Sequence, residues 1–64
     1  MNVDEIKALL KLDGVTWEKI IYGHWKHAMA LKHPNFTGIF VIGYGDTLEE
    51  AWETTWEMYN NARR

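Results

Sequence analysis

A single α+β domain, ordered α-β-β-β-α with a three-stranded antiparallel sheet packed by two helices, is the fold that these 64 residues predict. Three observations carry that expectation. An amphipathic stretch opens the chain, with a cap at its head and a glycine at its tail. Three runs rich in β-branched and aromatic residues follow, divided by Gly23 and by His33-Pro34-Asn35. A glycine-rich turn, Gly43-Tyr44-Gly45, then feeds an acidic, tryptophan-bearing segment with helical periodicity.

The first helix is expected over residues 3–13. Asn2 is a suitable N-cap, and Glu5, three residues on, completes a capping box by reaching back to it. Val3, Ile6, Leu9 and Leu10 recur at helical spacing, while Lys7 and Lys11 fall outside that stripe. Asp13-Gly14 supplies the stop, since glycine just past the last turn takes the left-handed conformation most easily.

Strands are expected over residues 15–22, 24–33 and 36–43. In the second, strict alternation sets Trp25, His27, Met29 and Leu31 on one side and His24, Lys26, Ala28, Ala30 and Lys32 on the other. The turn at His33-Pro34-Asn35 has a mechanism, because proline presets its own φ and asparagine suits the next position. The third run loses its alternation. Phe36, Phe40 and Ile42 share one face, but Ile39 and Val41 make the other face apolar too. If both helices cover one face, Ile39 and Val41 form an open apolar patch beside Ala28 and Ala30, edged by Lys26, Lys32 and a histidine. A helix on each face, or a different register, would account for the same pattern.

The second helix is expected over residues 47–62. Asp46 with Glu49, or Thr47 with Glu50, can cap it, and early carboxylates suit the positive end of the helix dipole. Leu48, Ala51, Trp52, Thr55, Tyr59 and Ala62 make the inward stripe. Glu49, Glu53 and Glu57 repeat on the outer side, Trp56 stands at the border, and Arg63 and Arg64 complement the C-terminal end.

A chain this short buries only about 60% of the surface that it exposes when unfolded, and with no cysteine it has no disulfides to compensate. Four tryptophans, three tyrosines and two phenylalanines are its staples, each burying roughly 150–250 Å². No apolar run reaches the ~20 residues of a membrane span, and no signal pattern opens the chain, so a cytoplasmic protein is expected. The net charge of −2 is uneven. Residues 14–45 hold three lysines against Glu18 alone. Residues 46–62 hold Asp46, Glu49, Glu50, Glu53 and Glu57 with no base among them.

That inventory excludes much chemistry. Serine and cysteine are both absent, and the threonines lack the N-terminal-amine arrangement that activates them. The glycine turn before the second helix would suit a phosphate, but the carboxylates of Asp46, Glu49 and Glu50 repel one. His27 and His33 share a strand parity at a separation of ~20 Å, with His24 opposite, so no metal-ligand cluster and no cofactor is expected. The chain does not read as an enzyme.

The order of elements and the run Gly43-Tyr44-Gly45-Asp46-Thr47-x-x-Glu50-Ala51 resemble the double-stranded-RNA-binding domain. That family grips phosphates with a basic cluster at the start of its second helix, where this chain has Asp46, Glu49 and Glu50. HicA-type toxins, ribonucleases of the same fold, are similar in Ile6 to Gly14, in Gly23-His24 and in His33-Pro34-Asn35; that resemblance implies a catalytic role for His24. Gly45-Asp46-Thr47-Leu48-Glu49-Glu50-Ala51 also looks like a helix start in HicB-type antitoxins. In size and charge the chain resembles phage-encoded inhibitors, anti-CRISPR proteins among them.

The function expected is therefore a non-catalytic binding module, an inhibitor or accessory factor. It would dock on a basic protein surface, such as a nucleic-acid-binding groove, through Glu49, Glu53 and Glu57, with Trp56 as the aromatic anchor. The alternative is a nucleic-acid-binding face built from Lys19, His24, Lys26 and Lys32, or the HicA-like ribonuclease. A homodimer through the open sheet face is a further association that the pattern allows.

Overall fold

A computed structural model describes residues 1–63 of the chain. Its elements are α1 (Val3–Leu12), β1 (Thr16–Lys19), β2 (His27–Lys32), β3 (Val41–Gly45) and α2 (Leu48–Ala62). The α-β-β-β-α order and the α+β class are those expected. β2 is the central strand and runs antiparallel to both neighbours, which leaves β1 and β3 as edges.

α1 starts and stops by local chemistry. Asn2 Oδ1 accepts the Glu5 N–H at 2.8 Å, and Asn2 Nδ2 donates to Glu5 Oε1 at 3.0 Å. At the other end Val15 N–H donates to Leu10 O and Gly14 N–H to Lys11 O, both at 3.0 Å. These are the paired bonds of a Schellman stop, with Gly14 at φ +77°. The stop also delivers Val15 into the core beside Leu10.

Both helices pack on the same face of the sheet. Ile6 and Leu10 from α1, Ala51, Trp52 and Tyr59 from α2, and Val15, Met29 and Leu31 form one buried cluster. α2 lies directly on β3, and the glycines there are what permit it. A side-chain carbon on Gly43 would collide with the Thr55 hydroxyl and stand 2.6 Å from Thr55 Cα; one on Gly45 would stand 2.6 Å from the Ala51 nitrogen. Thr55, fully buried, turns its hydroxyl back on its own helix and donates to Ala51 O at 2.6 Å.

All three strands are shorter than the alternation predicts, and two of the differences change which way side chains point. Between the Ile20–Ala28 hydrogen bond and the Tyr22–Trp25 bridge the pairing slips by one residue, a bulge with Lys26 and His27 opposite Ile21. A one-residue slip reverses side-chain parity. Trp25 therefore leaves the face of His27, Met29 and Leu31 and lies against Tyr44, with ring centroids 4.8 Å apart, on the side that no helix covers.

The second difference is at residues 36–40, which form a loop rather than the start of a strand. Gly38, at φ +87°, breaks the extension, and Phe36 N–H closes a turn on His33 O at 3.1 Å. The loop tucks Phe40 against Tyr59 and His33. β3 then begins at Val41, which pairs with Leu31 and so faces the helices. The apolar residues on the side that no helix covers are accordingly the half-buried Ile42 and Tyr44, flanking the buried Ala28 and Ala30, not Ile39 and Val41. Ile39 lies exposed in the loop.

Candidate functional site

α2 gathers the negative charge of the molecule, and its cap sets where that charge begins. Of the two capping options, the chain uses Thr47, whose Oγ1 accepts the Glu50 N–H at 3.1 Å. Four helical turns then carry Ala51, Trp52, Thr55 and Tyr59 inward. Glu49, Glu50, Glu53 and Glu57 are left exposed, as is Asp46 just before the cap. The ion pairs among the described residues are Glu18–Lys32 at 3.2 Å and Asp13–Arg63 at 3.1 Å. No carboxylate of α2, nor that of Asp46, has a described cation within pairing distance.

The acidic residues of α2 line clefts on two sides. Glu49 and Glu53 meet the first residues of the chain, Met1 to Asp4, around a cleft of about 380 Å³. Asp46, Glu50, Glu53, Thr54 and Glu57 form one wall of a second, about 350 Å³, whose other wall is Trp25, Tyr44 and Gly45. This second cleft lies beside β3, an edge of the sheet. Trp25 and Tyr44 belong to an aromatic group on the uncovered face, with Tyr22 against Tyr44 at 5.5 Å and His24 stacked on Trp25 at 4.9 Å. Trp56, expected as the anchor, is half-buried. Its ring stacks on Tyr59 at 6.0 Å and packs against the core, so its apolar surface is partly spent within the fold.

The four residues of the alternative nucleic-acid face do not share a face. Lys19 is paired with Met29 and so lies on the helix side of the sheet, whereas Lys32, paired with Thr16, lies on the uncovered side and is held by Glu18. Lys26 and His24 are exposed in the β1–β2 connection. Alternation along a strand forces this separation, because positions 19 and 32 fall on opposite parities of the β1–β2 ladder. His33 is used structurally: its Nδ1 accepts the Asn35 N–H at 3.1 Å. No group of three or more His, Asp or Glu suited to a metal occurs among the described residues.

Two groupings join residues that no local pattern links. Lys7, Lys19 and His27 surround Trp17, Trp52 and Leu48 in a cleft of about 520 Å³ with no carboxylate in its wall. Lys7 Nζ sits 5.3 Å over the Trp52 ring, and Trp17 meets Trp52 edge-on at 5.1 Å. The other grouping is Asp13, Tyr59 and Arg63, a polar clasp between the ends of the two helices. Arg63 is the C-cap of α2, so its charge stands at the negative end of that helix. From there its guanidinium reaches Asp13, and Arg64 lies outside the described residues. Their separation in sequence hid both groupings.

No helix among the described residues is long and apolar enough to cross a membrane. Compared with known proteins, the chain matches no family model, no curated protein and no solved structure.

Proposed function

We infer that the protein is a non-catalytic binding module that docks on a positively charged protein surface through the outer face of α2. One observation carries this reading. Glu49, Glu50, Glu53 and Glu57, with Asp46 before them, stand exposed on one element with no described cation to neutralise them. Carboxylates four apart on a helix repel one another by about 0.2–0.5 kcal/mol per pair. A row of them is thus a standing cost to the fold, and a basic partner relieves it. Complementary charge also speeds encounter and fixes orientation.

An inhibitor that occupies a nucleic-acid-binding groove fits this chemistry, because a row of carboxylates offers such a groove the charge of a phosphate backbone. The phage-inhibitor reading, anti-CRISPR proteins included, rests on size and charge. The likeness to double-stranded-RNA-binding domains and HicA-type toxins rests on element order and short motifs. Carboxylates at the head of α2 argue against an RNA grip of the former kind. An exposed His24 whose described neighbour is the Trp25 ring argues against catalysis of the latter kind.

The test compares the tagged chain with its Glu49→Lys/Glu53→Lys/Glu57→Lys variant in capture from host lysate treated with nuclease. A basic protein held by the first and lost by the second is the expected result. A partner retained by the reversed helix, or one that disappears with nuclease treatment, removes the acidic face from the function.

A further inference from the structure

β3 is an edge strand, and the ladder shows which of its backbone groups are free. Ile20 N–H donates to Ala28 O at 3.1 Å and Phe40 N–H to Leu31 O at 2.8 Å, so Ala28 turns its carbonyl toward β1 and Leu31 turns its own toward β3. Bonded and non-bonded pairs alternate along an antiparallel ladder. Ala28 and Ala30 therefore turn their backbone polar groups toward β1, and His27, Met29 and Leu31 turn theirs toward Gly45, Gly43 and Val41. The N–H and C=O groups of Ile42 and Tyr44 consequently point away from β2, along the edge. No hydrogen bond among the described residues outside the ladder uses them.

We propose that this edge takes up an extended basic peptide segment of a partner protein as a fourth strand. The proposal rests on the reading of the α2 carboxylates as a docking surface and assigns the partner its conformation and sequence pattern. Side chains of an added strand alternate in direction. One set descends toward α2, where Glu50, Glu53 and Glu57 line the cleft beside β3. The other set lies on the uncovered face, continuing the apolar row of Ile42 and Tyr44. The segment that fits has lysine or arginine alternating with apolar residues, with main-chain hydrogen bonds supplying affinity and the two faces supplying specificity.

Charge decides against a second copy of this chain as the occupant. Pairing β3 with a β3 related by a two-fold axis would bring two α2 helices alongside, each presenting the same glutamates. Like charges brought together there oppose the pairing, and charged flanks are a common means of keeping sheet edges from self-association. A basic strand turns that repulsion into attraction.

The test uses the whole chain and three synthetic seven-residue probes: alternating Lys–Val, the same peptide N-methylated at alternate amides, and alternating Glu–Val. Affinity is read from tryptophan fluorescence, and hydrogen exchange is followed at the Ile42 and Tyr44 amides. The Lys–Val peptide is expected to bind and to protect both amides. The N-methylated peptide keeps the charge but forfeits backbone hydrogen bonds, so it should bind about tenfold more weakly and protect neither. Glu–Val should not bind, and Glu53→Lys/Glu57→Lys should abolish Lys–Val binding. Equal affinity for the first two peptides with no amide protected overturns the strand pairing and leaves the acidic-face reading standing. Absence of Lys–Val binding to the folded chain also overturns the pairing, and the capture experiment then judges the acidic face separately.

Discussion

The Tyr59 hydroxyl donates a 2.8 Å hydrogen bond to the carboxylate of Asp13, a residue 46 positions earlier in the chain. Arg63 donates to the same oxygen at 3.1 Å and lies over the Tyr59 ring at 5.3 Å. The end of α2 is thereby tied to the stop of α1, so the two helices that cover the sheet are fastened to each other by polar contacts at that end. Replacing Tyr59 with phenylalanine keeps the packing and removes the bond. The expected loss is about 1 kcal/mol, read as a lower urea midpoint with an unchanged slope.

The same residue gives the fold a pH dependence on the alkaline side. Burial, then the bond to Asp13 and its negative charge, hold the Tyr59 hydroxyl above its ordinary 10.0, and Arg63 offsets part of this. A group whose value is raised by folding gives stability that is complete below its unfolded value and lost as pH rises through the folded one. Urea midpoints should therefore fall above pH 10.0 more steeply in the parent chain than in Tyr59→Phe. Parallel curves would remove Tyr59 as the source.

Gly43→Ala should be among the most damaging single changes in the molecule. The added carbon meets the side chain of Thr55 and stands 2.6 Å from its Cα, so α2 must lift from β3. Overpacking of this kind typically costs 1–3 kcal/mol, and backbone contact puts this site at about the upper end. Adding Thr55→Ala should not restore stability, because the Cα clash remains. Full recovery in the double variant, measured by thermal unfolding, would mean that the hydroxyl alone is the obstacle.

Thr47→Ala should destabilise by about 1 kcal/mol, the usual value of an N-cap side chain, because Thr47 Oγ1 holds the Glu50 N–H. Asp46→Ala should change stability much less. Melting temperatures of the two variants side by side test the assignment, and a larger effect at Asp46 would transfer the cap to it.

Glu53→Gln should stabilise the free protein. Glu53 stands four residues from both Glu49 and Glu57 with no described cation in between, so neutralising it removes two repulsions, about 0.4–1 kcal/mol together. Added salt should shrink the gain. A variant that melts higher yet binds the partner less would indicate that the glutamates are kept for contact at the expense of stability. A loss of stability would point to an intramolecular role for Glu53.

The order of the elements, the class of the fold, both caps of α1 and the acidic outer face of α2 are legible in the chain alone, and the start of α2 is legible to within the choice between Asp46 and Thr47. Each of these is written within a few neighbouring residues, as Asn2 with Glu5, Gly14 after Leu12, or Thr47 with Glu50. Which way the strand residues point depends on long-range pairing. The one-residue bulge that turns Trp25 to Tyr44, and the loop at Gly38 that sends Val41 inward and Ile42 outward, depend on how the ladder closes. Alternation within a strand holds only while the pairing is unbroken, and a single slipped residue reverses every side chain beyond it. The scattering of Lys19 and Lys32 to opposite faces, the Asp13–Tyr59–Arg63 clasp and the free edge of β3 beside the glutamates of α2 follow from that closure. They join residues far apart in the chain through packing, which local periodicity does not record.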